Sequence, residues 1–176
     1  MRGVGVFKLN CCTILILYFL DFSMSEPNYA GNIIVILANL PEFLRTPILK
    51  KRMIEFFSMS ESDRSEIISN ALIAGPTIPF PNFAKLFKTW LEVVAEITEE
   101  QRNLMLSSYL DKIIENPEKL INFNLDGILE IFLSLDSSKK MIITNSIKKI
   151  ISKLDEPQQK KIALIIPDGA KKYLEL

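Results

Sequence analysis

The sequence contains no histidine, two cysteines and six glycines. The absence of histidine removes the most common general base and the most common zinc ligand. Cys11 and Cys12 are adjacent in the sequence, and an ordinary disulfide between neighbouring residues is strained. Neither a Gly-x-Gly-x-x-Gly nor a Gly-x-x-x-x-Gly-Lys-Ser/Thr string is present, so the standard phosphate-binding loops are missing. These absences argue against a zinc enzyme, a disulfide framework and the common nucleotide enzymes.

The remaining composition is that of an ordinary globular domain. The chain has 176 residues, 48% of them apolar, and its 21 basic residues balance its 21 acidic residues. A chain of this length is typical of one domain, and it holds enough apolar side chains for a core. No segment alternates apolar and polar residues with a period of two, so we expect essentially no β-sheet.

Residues 1–23 differ from the rest of the chain. Two basic residues precede an apolar run at residues 11–20, and small residues follow it. This order is typical of a secretory signal, although the run is shorter than the roughly 20 residues of a transmembrane helix. Alternatively, Met24 is the native start, and residues 1–23 are a leader outside the domain. In either case we expect residues 24–176 to form a single helical-repeat domain.

The chain aligns with itself at a constant shift, which gives a repeat of about 38 residues. Five aligned columns are apolar throughout, namely Leu49, Phe87 and Leu125; Met53, Leu91 and Leu129; Phe56, Val94 and Phe132; Phe57, Ala95 and Leu133; and Met59, Ile97 and Leu135. The same shift aligns three prolines, three potential helix caps and three basic residues: Pro41, Pro79 and Pro117; Ser60, Thr98 and Asp136; Arg64, Arg102 and Lys140. This constant register indicates duplicated units.

Each unit is predicted to consist of two helices. Apolar positions spaced by four and three residues form one face of the first helix. Ser60, Thr98 or Asp136 then caps the second helix by accepting from its free backbone amides. Pro79 or Pro117 ends that helix, because proline disfavours helical geometry in the preceding residue. We predict helices at residues 27–39, 42–58, 61–74, 82–96, 99–115, 118–134, 136–153 and 156–166, with a last turn at 168–175.

The fold predicted from these units is all-α. A helical hairpin alone cannot cover its apolar face, whereas hairpins stacked side by side can. We therefore expect an α-solenoid with a repeat of about 38 residues, built from about eight helices in a right-handed superhelical stack. In the helix predicted at residues 118–134, Asn122, Asn124 and Gly127 lower the helix propensity, so a break is expected there.

The repeat unit resembles HEAT-like and armadillo-like α-helical repeats. The resemblance is carried by the pattern apolar-x-x-apolar-Ser/Thr/Asp-x-x-x-Arg/Lys and covers residues 25–166. Its turn strings are also similar in style to those of magnesium-transporter cytosolic N-terminal domains and flagellar-switch proteins: MSESDR (59–64), ITEEQR (97–102), LDSSKK (135–140) and LDEPQQ (154–159). The unit is shorter than the HEAT and armadillo period of about 40–47 residues. The resemblance implies a binding or scaffolding surface and transfers no catalytic residue or ligand.

Two charged regions are candidates for ligand binding. Residues 92–130 contain nine acidic and three basic residues, but without the spacing of a calcium loop, so we expect a solvated face rather than a metal site. Residues 136–176 contain nine lysines and no arginine. Because bidentate recognition of bases and phosphates favours arginine, we expect no specific nucleic-acid binding.

Our interpretation is a non-enzymatic protein–protein interaction module, such as an adaptor or a regulatory subunit, located in the cytoplasm. It assigns no catalytic residue, cofactor or metal, and expects a protein partner rather than a small molecule. The alternative is a membrane-associated or exported helical domain. In that case residues 1–23 are the signal or anchor, and membrane contact would involve these residues alone.

The predicted binding site lies in residues 75–83, GPTIPFPNF, where the sequence departs from a plain repeat unit. We expect Gly75 to end one helix in left-handed geometry, Asn82 to cap the next, and the prolines to hold the chain extended between them. Such a stiff apolar loop would bind a partner at low entropic cost. The predicted contact residues are Pro76, Ile78, Pro79, Phe80, Pro81 and Phe83. Alternatively, Ile78 and Phe80 fill the groove of the domain as a plug.

Overall fold

The structure, a computed structural model, describes residues 29–174, so the predicted leader at residues 1–23 lies outside the described part. Nine α-helices and no strand occur in this part. The helices are α1 Tyr29–Asn39, α2 Glu42–Ser58, α3 Glu61–Ala74, α4 Phe80–Glu96, α5 Glu99–Glu115, α6 Leu125–Leu133, α7 Ser137–Ile151, α8 Glu156–Ile165 and α9 Asp168–Leu174. Single 3₁₀ turns follow α3 and α5, at Gly75–Thr77 and Pro117–Leu120. The prediction of an all-helical chain is thus confirmed for the described residues.

The three predicted helix caps are confirmed. The side chains of Ser60, Thr98 and Asp136 each accept a hydrogen bond from the backbone N–H three residues later, at 3.2, 3.3 and 2.9 Å. Thr98 also forms a capping box, because the side chain of Gln101 accepts from the N–H of Thr98. The caps fix the starts of α3, α5 and α7.

The helix predicted at residues 118–134 is shorter in the structure. Pro117–Leu120 forms a 3₁₀ turn, and α6 begins only at Leu125. Asn124 is the N-cap of α6, and its side chain accepts a hydrogen bond from the backbone N–H of Gly127 at 3.0 Å. Asn124 therefore stabilises a helix start rather than a helix interior, as asparagine commonly does. The break expected in this helix is confirmed.

A common hydrogen bond closes four of the turns between helices. In each, a side chain near the start of one helix donates to the backbone carbonyl five residues earlier, at the end of the preceding turn. The bonds are Arg45 to Leu40 at 2.7 Å, Arg64 to Met59 at 2.6 Å, Arg102 to Ile97 at 2.9 Å and Gln159 to Leu154 at 3.0 Å. They satisfy carbonyl groups that the preceding helix leaves without a partner.

Helices that alternate along the sequence lie beside one another. Helices α1, α3, α5, α7 and α9 contact in that order, as do α2, α4 and α6, while α4 also contacts α1 and α7. The core between them includes the fully buried Ile68, Val94, Ile143 and Ile162. Burial of each such side chain contributes about 1.5–3 kcal/mol, so the contacts between helices hold the fold together.

Two arginine–hydroxyl pairs lie within this apolar core. Nε of Arg45 on α2 donates to Oγ1 of Thr89 on α4 at 2.9 Å, and Nε of Arg102 on α5 donates to Oγ of Ser146 on α7 at 2.8 Å. All four residues are buried. Each arginine therefore links the turn before its own helix to the helix two places further along the chain.

Candidate binding surface

The predicted binding segment, residues 75–83, is more compact than expected. Gly75 has right-handed helical geometry, with φ −50° and ψ −52°, and begins a 3₁₀ turn. Pro79 is the N-cap of α4, so the helix begins at Phe80 and Asn82 lies inside it. The extended loop, the left-handed Gly75 and the Asn82 cap were therefore wrong. Proline fits the first turn of a helix, because the N–H that it lacks has no partner there.

Position 75 requires glycine because the ring of Phe123 lies close to its backbone, and not because of its φ and ψ angles. A Cβ atom at this position would lie 2.7 Å from the ring of Phe123, which is too close without movement. Gly127 on α6 plays the same part for Phe80, because a Cβ atom there would overlap the Phe80 ring. The two glycines allow aromatic rings to pack directly against backbone.

The aromatic side chains of the segment belong to a row of stacked rings. The ring of Phe83 lies 6.3 Å from Phe80 and 5.6 Å from Phe87, and Phe87 lies 5.7 Å from Trp90, all between ring centroids. Ile78, at 5% exposure, is buried in the same core. These contacts match the alternative in which Ile78 and Phe80 act as a plug.

The other predicted contact residues lie at the surface. Pro79 and Pro81 are exposed, and Pro76 is partly exposed. Beside Pro76 is an open cavity of about 580 Å³, which we call the Pro76 cleft. It is lined by Leu72, Ile73, Pro76, Thr77, Lys119 and Asn122. Of the six predicted contact residues, the cleft thus includes Pro76.

The Pro76 cleft combines apolar surface with one positive charge. Ile73 is 59% exposed, and Ile121, adjacent in sequence to Asn122, is 78% exposed. The hydroxyl of Thr77 is already used, because it donates to the carbonyl of Ala74 at 2.7 Å. Lys119 supplies an ammonium group that can pair with a carboxylate. The cleft therefore offers contacts for an apolar side chain and for an acidic group.

Most residues of this cleft were not among the predicted contact residues. Ile73 and Lys119 are far apart in the sequence, and they line the same cleft because the 3₁₀ turn Pro117–Leu120 lies against α3. Pro117 was the signal in the sequence that could have indicated this cleft. It interrupts the helical pattern shortly before the apolar residues Leu120 and Ile121. Arg45 was also missed, although it precedes Arg64 by half of the repeat shift.

The described residues contain neither a cluster of metal-binding side chains nor a helix that could span a membrane. Within residues 29–174, no group of three or more acidic or cysteine side chains is placed to hold a metal ion. In the same range, no helix is both long and apolar enough to cross a bilayer.

Comparisons with protein families, curated proteins and solved structures find no match. The functional proposal therefore rests on the geometry of this chain alone.

Proposed function

We propose that the described domain is a non-enzymatic α-solenoid that binds another protein, as an adaptor or regulatory subunit in the cytoplasm. Two observations support a stack of helical hairpins, and its right-handed sense is part of the proposal. Alternate helices lie beside one another, and the caps at Ser60, Thr98 and Asp136 recur at the spacing of the sequence repeat. We also propose that the repeat units are of the HEAT-like or armadillo-like kind. Stacked repeats of this kind present extended surfaces suited to binding proteins.

The observation that carries the proposal is the exposed apolar surface at the Pro76 cleft. Ile73 lines the open cavity and is 59% exposed, and Ile121, which is adjacent in sequence to the lining residue Asn122, is 78% exposed. Exposed apolar residues grouped around a concave surface are typical of interaction sites. Lys119 at the cleft favours a partner segment in which a large apolar side chain lies next to an Asp or Glu.

The rigidity of the neighbouring segment supports binding at this cleft. Pro76 lies in the 3₁₀ turn Gly75–Thr77, whose backbone is tied by the bond from the N–H of Ile78 to the carbonyl of Gly75 at 3.2 Å. Ile78 anchors the turn in the core. A surface that is already ordered loses little conformational entropy on binding.

Co-purification of the full chain with its partner tests the proposal. The test variant is Ile121→Asp, and the matched control is Leu164→Asp on α8, where the side chain is 85% exposed. Both substitutions replace an exposed isoleucine or leucine by aspartate. The free energy of unfolding should therefore stay within about 0.5 kcal/mol of the wild-type value. We expect Ile121→Asp to reduce recovery of the partner by about tenfold or more, and Leu164→Asp to leave it unchanged. Equal recovery with both variants would contradict binding at the cleft.

A further inference from the structure

Lys119, in the Pro76 cleft, is partly buried and has no hydrogen-bond or ion-pair partner in the described part of the chain. Every other partly buried lysine or arginine within residues 29–174 has a partner. For example, Nζ of Lys112 pairs with Glu115 at 2.7 Å, and Nζ of Lys140 donates to a backbone carbonyl at 3.1 Å. The described lysines that lack a partner elsewhere, such as Lys153, are exposed to water. A charge that is partly withdrawn from water is stabilised by an opposite charge, so the position of Lys119 favours an anionic ligand.

The described residues provide no carboxylate for Lys119. The six residues that line the cleft include neither Asp nor Glu. The adjacent Glu118 is exposed, and Glu115 is already paired with Lys112. A carboxylate on a bound partner would therefore complete an ion pair that residues 29–174 leave open.

Asn122, on the same cleft, has free hydrogen-bonding groups. Neither its backbone N–H nor its C=O has a hydrogen-bond partner among the described residues, and its side chain has none there either. An extended peptide can bond to this backbone, because its own N–H and C=O groups are free. In a helix these groups bond to one another instead. Asn122 therefore favours an extended partner segment over a helical one.

The apolar wall of the cleft sets the spacing within such a segment. Ile73 is 59% exposed on this wall, and Lys119 lines the same cleft. In an extended chain, residues two positions apart point to the same face, whereas adjacent residues point to opposite faces. An apolar side chain at Ile73 and a carboxylate at Lys119 would therefore come from residues separated by one position.

We propose that the Pro76 cleft recognises an extended protein segment with the pattern apolar-x-Asp/Glu or Asp/Glu-x-apolar. The carboxylate pairs with Lys119, the segment backbone bonds to that of Asn122, and the apolar side chain packs against Ile73. This inference rests on the proposed function, because it names what the same cleft recognises. The two recognised side chains lie beside each other in space without being neighbours in the sequence. Lys119 determines specificity, since it attracts acidic segments and repels basic ones.

Selection from a random library of displayed peptides, with the purified full chain as bait, tests the pattern. Peptides bound at the cleft are identified by loss of binding to the Ile121→Asp variant. We expect these peptides to share an apolar and an acidic residue separated by one position. Synthetic copies in which Asn or Gln replaces the acidic residue should bind about tenfold more weakly.

Three variants of the bait test the role of Lys119. Lys119→Glu should weaken binding of the acidic peptides about tenfold or more and should select Lys or Arg at the acidic position. Lys119→Arg keeps the charge and should keep the acidic preference. The matched control Lys153→Glu reverses the charge of an exposed lysine in the turn after α7 and should leave the selection unchanged. Thermal unfolding of each variant verifies that it is folded.

The other outcomes separate this inference from the proposed function. Peptides that depend on Ile121 but carry no acidic residue, or that bind equally to Lys119→Glu, would overturn the inference and leave protein binding at the cleft intact. Acidic residues that are adjacent to the apolar residue, or three or four positions from it, would overturn the extended geometry. Recovery of no peptide that depends on Ile121 would contradict both the inference and the proposed function.

Discussion

Arg102 on α5 and Ser146 on α7 form a buried hydrogen bond, with 2.8 Å between Nε and Oγ. The same guanidinium donates to the carbonyl of Ile97 at 2.9 Å, in the turn before α5. One side chain thus closes a turn and links two neighbouring helices. Because the pair is buried, loss of either partner leaves a polar group without a hydrogen bond, and this is more costly than loss of the bond itself.

The first prediction concerns this pair. Ser146→Ala should lower the free energy of unfolding by about 1–3 kcal/mol, because Nε of Arg102 loses its acceptor in the core. The control Ser152→Ala removes an exposed hydroxyl that donates to the backbone carbonyl of Lys149, and should change stability by less than about 0.5 kcal/mol. Urea unfolding measures both. Equal effects of the two substitutions would contradict the assigned role of the buried pair.

The second prediction concerns the contact of Phe80 with the backbone of α6. Gly127→Ala should destabilise the protein by about 1–3 kcal/mol, because the added methyl group overlaps the Phe80 ring. The control is Gly169→Ala on α9, where the nearest atom is the end of the Leu129 side chain at 3.0 Å, which can rotate away. Alanine is the better helix former by about 1 kcal/mol, so this control should be neutral or stabilising. A stabilising effect of Gly127→Ala would show that the ring does not lie there.

The third prediction separates the two functions considered for residues 75–83. Phe80→Ser removes a ring that stacks on Phe83, so the plug interpretation predicts a loss of about 2–4 kcal/mol and retention of the partner in the folded protein. The docking interpretation predicts unchanged stability and loss of the partner. The contacts of Phe80 favour the first result. Thermal unfolding and co-purification of the same samples measure the two effects.

The fourth prediction concerns acid stability. The carboxylate of Asp136 accepts from the N–H of Lys139 at 2.9 Å, and this bond lowers the pKa of Asp136 below its ordinary value of 3.8. The folded pKa is thus lower than the unfolded pKa. The carboxylate stabilises the fold above about pH 4, and this contribution is lost as the pH falls through the folded pKa.

Asp136→Asn should keep the cap, since asparagine is a good N-cap residue, but lack this titration. Urea unfolding at about pH 3 and pH 6 should therefore show a smaller loss of stability in acid for the variant than for the wild type. The exposed Asp126→Asn on α6 serves as the control. An acid dependence of Asp136→Asn equal to that of the wild type would contradict the role of this carboxylate.

The sequence predicted most of the helices because their ends are encoded locally. The bounds of α2, α3 and α5 agree with the prediction, since Ser60 and Thr98 mark two of the starts and apolar spacing marks the interiors. The start of α4 was missed for a physical reason. Prolines were taken to exclude helix, whereas Pro79 and Pro81 lie at its beginning, where proline is favourable.

The candidate binding surface was harder to predict from the sequence than the helices were. The exposure of Ile73 and Ile121 depends on how α3 meets the turn after α5, and no local pattern distinguishes an exposed isoleucine from a buried one. The burial of Arg45 and Arg102 has the same origin. Each becomes buried because a hydroxyl group on another helix, 44 residues away in both cases, is placed to accept its hydrogen bond.

Site-specific photo-crosslinking tests whether a protein binds at the Pro76 cleft. A photoreactive amino acid replaces Ile121 in one sample and Leu164 on α8 in another, and each full chain is irradiated in the cells that produce it. We predict one discrete crosslinked protein from position 121, absent from position 164, and weakened when Lys119→Glu reverses the charge of the cleft. The same products from both positions, or none from position 121, would contradict protein binding at the cleft.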